Sequence, residues 1–369
     1  MAADQSAPAL KEIFNSERLT HIATEMTAVY PAFNAKAFLK MANEGLEQLS
    51  IMQRMARVSE CLHAVLPLSY EESLDVLYAL APRLNSGFVS ISLPHYVATY
   101  GADQFERSMD ALKYFTTFGS SEFAIRHFLR SDLTATLAQM HHWSLDANEH
   151  VRRLASEGSR PRLPWSFRLE RIQADPTLAA AILDNLKTDA SLYVRKSVAN
   201  HLNDITKDHP DWVLDLIERW SLVNKHTAWI ARHALRSLIK QGNPRALAII
   251  GAGGKPEVEI IGAKVEPAVI RLGEKISLSF TVKSTVPDNQ RLVIDYAIDY
   301  VKANGSSSAK VFKLKALTLP GRATEYIARG QHIKALTTRR HYPGRHAVHI
   351  LVNGERLAST GFEIIADAD

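Results

Sequence analysis

Two hydrophobic rhythms run along this chain, and they change over near residue 254. Up to that point apolar residues recur at the three-to-four spacing of amphipathic helices. The pattern predicts helices over residues 33–47, 50–66, 70–80, 103–117 and 210–220, joined by short connectors containing Gly, Pro, Asn or Asp. One stretch echoes others. His150-Val151-Arg152-Arg153-Leu154-Ala155 is answered by Tyr193-Val194-Arg195-Lys196-Ser197-Val198-Ala199 and by Trp229-Ile230-Ala231-Arg232-His233-Ala234-Leu235. Val151, Val194 and Ile230 are 43 and 36 residues apart, which brackets the roughly 40-residue period of HEAT and armadillo repeats. A helix pair of that size cannot bury its apolar face alone, so the pairs must stack into a solenoid.

After Gly251-Ala252-Gly253-Gly254 the period drops to two. Lys275-Ile276-Ser277-Leu278-Ser279-Phe280-Thr281-Val282-Lys283 alternates throughout, and residues 292–301, 310–317 and 347–352 read as further strands. Asn353-Gly354, between two short apolar runs, is a two-residue hairpin signal. Short strands at such intervals predict a β-sandwich of immunoglobulin type. The expected organisation is an α-helical HEAT-like repeat solenoid over residues 1–254, followed by an all-β immunoglobulin-like sandwich over residues 255–369.

Composition narrows the class. The chain has 369 residues, 46% of them hydrophobic and 22% charged, as in ordinary globular proteins. Its single cysteine, Cys61, excludes an internal disulfide and sits in an apolar helical run, where a packed thiol is expected. The first ten residues are polar and alanine-rich, unlike a secretory signal, and no apolar run is long enough to cross a bilayer. A cytoplasmic location and a monomer with no membrane partner are expected. Fifteen histidines include no HExxH and no paired Cys/His spacing, so no metal site is expected. Neither GxGxxG nor a phosphate loop ending in Gly-Lys-Ser/Thr occurs, so no cofactor is expected.

The net charge of +5 is unevenly spread. Residues 1–254 hold 27 basic and 27 acidic side chains, whereas residues 255–369 hold 17 and 12. Between Lys302 and Arg345 ten Lys or Arg residues face only Glu325, the footprint expected for a polyanion. Lys313 and Lys315 also suit an edge strand guarded against aggregation. Arg339, Arg340 and Arg345, read as a loop with Pro343-Gly344, are assigned to phosphate contact.

The richest local signal follows Glu149. Val151, Leu154 and Ala155 repeat at helical spacing; Gly158 reads as a C-terminal cap, and Pro161 and Pro164 stop the helix from resuming. From Val151 to Arg168 there are five arginines, one acid, Glu157, and one indole, Trp165. Arginines on a stiffened loop ending in tryptophan suit a phosphate backbone and a cationic ring. The plainer reading is a helix connector with Arg153 and Glu157 paired at i,i+4.

This run, with Trp143 and Asn148 before it, resembles the AlkC-type DNA alkylation repair glycosylases. So does the opening, with Leu10-Lys11-Glu12-Ile13-Phe14-Asn15, Pro31-Ala32-Phe33 and Ala37-Phe38. The resemblance covers most of the chain and implies a HEAT-like solenoid followed by an Ig-like domain. It implies a monofunctional glycosylase that removes small cationic bases, namely 3-methyladenine, 3-methylcytosine and 1-methyladenine, from double-stranded DNA without flipping them. It places catalytic roles on Glu122, Glu157, Asp204 and Trp165, while Arg152, Arg153, Arg160 and Arg162 are expected as DNA contacts from the make-up of the arginine-rich loop itself. The residue types fit that chemistry. A cationic base leaves readily, and positive charge then grows on the sugar, so carboxylates beside the sugar help most. Each residue also has a plain structural use: Glu122 behind an N-capping Ser121 at a helix start, Asp204 as a turn residue, Trp165 as a core anchor. The competing function is a non-catalytic HEAT scaffold that binds nucleic acid or protein. It has no use for acids in a groove meant for phosphates.

Overall fold

A computed structural model describes residues 10–334 and 340–366. Helices occupy the chain from Leu10 to Ile249 and strands follow from Val258. The expected helices appear as Ala35–Asn43, Ile51–Val65, Tyr70–Leu80, Phe105–Phe115 and Pro210–Arg219.

The repeats share more than a hydrophobic echo. Asn148 caps the helix Glu149–Gly158 by accepting from the His150 amide at 2.8 Å. Ser191 caps Leu192–Ile205 in the same way, from Tyr193 at 3.2 Å. Four residues after each cap an arginine turns back. Arg152 Nη1 donates to the carbonyls of Asp146 and Ala147 at 2.9 and 2.8 Å, and Arg195 Nη1 to those of Asp189 and Ala190 at 2.8 and 2.7 Å. Each arginine thus clasps the loop that leads into its own helix. In the third copy Asn224 accepts from His226 at 2.9 Å. Thr227, not Ile230, therefore takes the place of Val151 and Val194. Three residues are nearly one helical turn, so apolar spacing alone cannot detect that slip.

The strands are β1 (Val258–Glu266), β2 (Val269–Ile270), β3 (Lys275–Ser284), β4 (Gln290–Val301), β5 (Ser307–Leu319), β6 (Thr324–His332), β7 (Gly344–Val352) and β8 (Glu355–Ile364). They form two sheets, ordered β1-β3-β6 and β2-β8-β7-β4-β5. Ile276, Leu278, Phe280 and Val282 of β3 enter a core shared with Ile294, Tyr296, Ile298, Val348, Ile350 and Phe362, as the alternation predicts. Strand β4 departs from alternation and is buried without a break from Leu292 to Ile298. Its inner face belongs to that core. Its outer face, with β5, is met by the helix Arg236–Lys240. Strand β5 lies at a sheet edge, and Lys313 and Lys315 are exposed along it as expected.

By its contacts the chain divides into two compact units. The first runs to His209 and includes Asn224–Ile230; the second takes Pro210–Val223 and everything from Ala231 onward. Helices such as Arg236–Lys240 and Pro244–Ile249 therefore pack as part of the second unit. Within it the Asn353-Gly354 hairpin has the positive φ values, 47° and 81°, that such a turn demands. Gly354 also lies against Gly242, and a Cβ added there would stand 2.4 Å from the Gly242 Cα. Gly354→Ala is expected to cost more than about 2 kcal/mol, from the left-handed backbone plus the collision. Gly251 has φ 79° with no atom within 4 Å of an added Cβ, so Gly251→Ala should cost only the backbone part. Urea denaturation of both variants checks this; equal losses would remove the collision from the account.

Candidate active site

The helix Glu149–Gly158 ends against its neighbours rather than in a left-handed cap. Its cap residue is Ser159, whose hydroxyl donates to the Ala155 carbonyl at 2.7 Å. Gly158 has no positive φ. It is glycine because a Cβ would meet Ile125 Cγ2 at 2.5 Å, so the expected capping role is corrected to one of close packing. The following loop is tied to one buried side chain. Arg126 is fully buried and donates through Nη1 to the carbonyls of Gly158 (3.0 Å) and Arg160 (2.6 Å), and through Nη2 to that of Phe167. Burial, and then the Arg160 charge, bring its pKa down to about 10. With both loop ends held, Trp165 takes a left-handed φ of 63° and stays 61% exposed. That conformation is uncommon for a non-glycine residue and persists only where the surroundings enforce it. The expected core-anchor alternative for Trp165 does not hold.

A cavity of about 550 Å³ opens beside the loop, lined among others by Phe88, Glu122, Arg153, Glu157, Arg160, Trp165 and Tyr193. Its charged residues form a chain. Glu122 pairs with Arg153 and accepts from Ser120 Oγ at 2.7 Å. Arg153 Nη2 lies 3.6 Å from Glu157 Oε1, the i,i+4 pair that the sequence anticipated. Arg160 Nη1 reaches the same oxygen at 2.6 Å, while its Nε and Nη2 both lie 2.9 Å from Asp204 Oδ2. Lys207 Nζ stands 3.3 Å from the other Asp204 oxygen. Glu157 and Asp204 are only 5% and 3% exposed, so these charges act with little solvent between them. Burial pulls the Arg160 pKa down, yet Glu157 and Asp204 hold it above its ordinary value. Asp204 is not among the cavity-lining residues; it meets the cavity through Arg160. Arg160 thus divides its charge between Glu157 and Asp204, and each of these acids has a second cation, Arg153 for Glu157 and Lys207 for Asp204.

The structure thus gathers Glu122, Glu157, Trp165, Arg153 and Arg160 around one cavity, with Asp204 behind Arg160. Glu122 is not in the first turn of a helix as expected: the helix Ile125–Ser131 starts three residues later. Nor is Ser121 a cap, because its hydroxyl donates to the Leu112 carbonyl at 2.8 Å. Arg152 is bidentate with Asp189 at 2.7 and 3.1 Å besides its carbonyl contacts. Arg162 is bidentate with Asp208 at 3.0 and 2.7 Å. In the β unit Arg340 is exposed, 5.5 Å from the Tyr342 ring centroid. Arg345 is exposed on β7 opposite Glu363, a correction to its expected place in a loop: pairing with β8 begins already at Gly344. Arg339 lies outside the described residues.

Three participants were not anticipated. Arg126 stands among Ile125, Phe128 and Leu129, and an arginine on the apolar side of a helix whose exposed side already carries His127 and Arg130 was a usable signal. Tyr193 forms a cavity wall with the Arg153 guanidinium 4.9 Å from its ring centroid. His201 is fully buried, with Nδ1 3.0 Å from the Ser156 carbonyl, linking the helix of Asp204 to the residue before Glu157. Burial and the Arg160 charge push its pKa down to about 3. An unfolded histidine titrates near 6.5. As pH falls from about 6.5 towards 3, the unfolded chain takes up a proton that the folded chain refuses, so stability is lost over that window. The melting temperature is expected to fall between pH 7 and 5, and to fall less in His201→Gln. Identical falls in the two proteins would overturn this.

Comparison with known proteins agrees with this architecture. The family described as DNA alkylation repair enzyme matches residues 102–238, and the one described as Uncharacterised protein YhaZ, C-terminal Ig-like domain, matches residues 259–366. The YhaZ protein of Bacillus subtilis (strain 168) is 41% identical over 96% of this chain and 99% of its own. The alkylpurine DNA glycosylase AlkC of Pseudomonas fluorescens, solved bound to DNA containing an abasic site analog, is 72% identical. That match covers 97% of this chain and 100% of the other, with a TM-score of 0.95. On residues, fold and relatives together, this chain belongs to the AlkC-type DNA alkylation repair glycosylases.

Proposed function

We propose that this glycosylase hydrolyses the N-glycosidic bond of small cationic bases, 3-methyladenine, 3-methylcytosine and 1-methyladenine, in double-stranded DNA, without drawing the base into a deep pocket. The observation that carries the reading is the shared lining of one cavity, in which Glu157 and Glu122 stand with the rings of Trp165 and Tyr193. The bond from C1′ to the base nitrogen breaks, its electrons neutralise the base, and water adds to C1′ with loss of a proton. Glu157 stabilises the positive charge growing on the sugar and Glu122 orients the water. Asp204 positions Arg160, and through it Glu157. Trp165 and Tyr193 offer π faces to the cation. No Schiff-base lysine takes part, which makes the enzyme monofunctional. Arg340 and Arg345 are the exposed candidates for phosphate contact, with Arg339 in the same stretch of sequence, and Arg162 is a half-buried candidate that also pairs with Asp208. Residues 1–254 supply the chemistry and residues 255–369 supply further DNA contacts.

The test is chromatographic measurement of free methylated bases released by the purified protein from methylated duplex DNA. Release of the three cationic bases is expected. No release of any base would overturn the reading.

A further inference from the structure

A second cavity, of about 220 Å³, adjoins the first. Ile91, Phe123 and Trp165 line both, so the indole stands where the two meet. Their chemistry differs. The first holds the carboxylates of Glu122 and Glu157, whereas the lining of the second, among the described residues, includes no Asp, Glu, Lys or Arg. Met52 and Met55 reach it from the helix Ile51–Val65, three residues apart and so on one face. Their thioethers are polarisable and pack well against aromatic rings. Phe167 adds a ring that is already fixed: Arg126 holds its carbonyl, and the Arg130 guanidinium lies 3.5 Å from its centroid. His95 adds a polar group, with Nδ1 3.5 Å from Thr99 Oγ1. Burial, and then the neighbouring His127, hold its imidazole below the ordinary histidine pKa. At pH 7 it is therefore neutral and can both donate and accept.

These features select a ligand. The volume falls below the roughly 300–1,000 Å³ of sites for drug-sized molecules and suits one small ring system. Sulfur, aromatic and imidazole walls match a flat heterocycle with a hydrogen-bonding edge. A cation there would find no carboxylate in the lining and would share the Phe167 ring with two guanidiniums, Arg130 and Arg126. Excision generates the neutral ligand that these walls favour. The electrons of the broken bond discharge the base, which leaves a neutral ring beside Trp165. We propose that the second cavity is a product site, which receives the neutral methylated base after the glycosidic bond breaks and keeps it from C1′ while water adds. The proposal rests on the glycosylase reading above.

The test is isothermal titration of the full-length protein, without DNA and at about pH 8, with two probes. Free 3-methyladenine is neutral there; 3,9-dimethyladeninium carries a methyl group in place of the sugar and stays cationic. Wild type should take up one 3-methyladenine and bind the cation about tenfold more weakly. Met52→Trp fills the cavity, and His95→Leu removes its polar edge with little change in volume. Each should lower the affinity for 3-methyladenine by about tenfold. Glu157→Gln, in the first cavity, should bind the free base as tightly as wild type. Circular dichroism confirms that each variant is folded. No uptake by wild type, or equal uptake by wild type and both cavity variants, would overturn the site. Loss of uptake in Glu157→Gln alone would put the free base in the first cavity and overturn it as well. Uptake by a wild-type protein that releases no base from methylated duplex would uphold the neutral-ring site and reject the glycosylase reading instead.

Discussion

Glu157→Gln and Asp204→Asn are each expected to slow single-turnover excision on the order of 10²–10³-fold while keeping affinity for duplex DNA. Both substitutions preserve size and hydrogen-bonding capacity, so the ion-pair chain loses charge and not volume. In Glu157→Gln the carboxylate on the cavity wall is gone, and nothing else there answers the growing sugar cation except Glu122, which already pairs with Arg153. In Asp204→Asn the route is indirect. Arg160 keeps its place but has only Glu157 left to neutralise, so the charge of Glu157 is spent on it. Phosphates are repelled by carboxylates, so binding should hold or improve. Wild-type excision rates in both variants would remove these two acids from the mechanism.

The second large effect is expected at Arg160. Its guanidinium bridges Glu157 and Asp204. Arg160→Met would leave two carboxylates, each at least 95% buried, with only the longer contacts from Arg153 and Lys207 to offset them. Breaking a buried pair by removing one partner costs about 3–5 kcal/mol. The double change Arg160→Met/Asp204→Leu, which removes one of the stranded charges, should recover part of the stability but none of the activity. Denaturant midpoints measure the first and base release the second. If the double variant is no more stable than the single one, the stranded charges are not the cause of the loss.

Much of the fold was readable because burial imposes a period. Lys275–Ser284 alternates, and its burial follows except at Ser279, which is buried between Leu278 and Phe280. Where a strand lacks that constraint it left no trace. Strand β6 buries only Ile327 and exposes Tyr326, and β1 is broken by Gly262, with φ 66°, and a register shift between Ile261 and Lys264. The site residues were legible through family resemblance more than through their own chemistry, since each acid had an ordinary use as a cap, turn or helix pair. Their assembly was hidden for a different reason. Arg160 and Asp204 lie 44 residues apart, about one repeat, and only stacking of the repeats joins them. Tyr193 and Arg126 were overlooked because one looked like an echo and the other like a neighbour.

The clasp of Arg126 on the loop after Glu157 has a thermodynamic consequence. A loop of ten residues that became ordered only on meeting its substrate would lose backbone freedom of roughly 1–2 kcal/mol per residue at that moment. Here Gly158, Arg160 and Phe167 are already held by one guanidinium, and Trp165 is already in its unusual conformation. The entropy has been surrendered during folding. Interaction energy gained by this loop with whatever it binds then need not go into organising it.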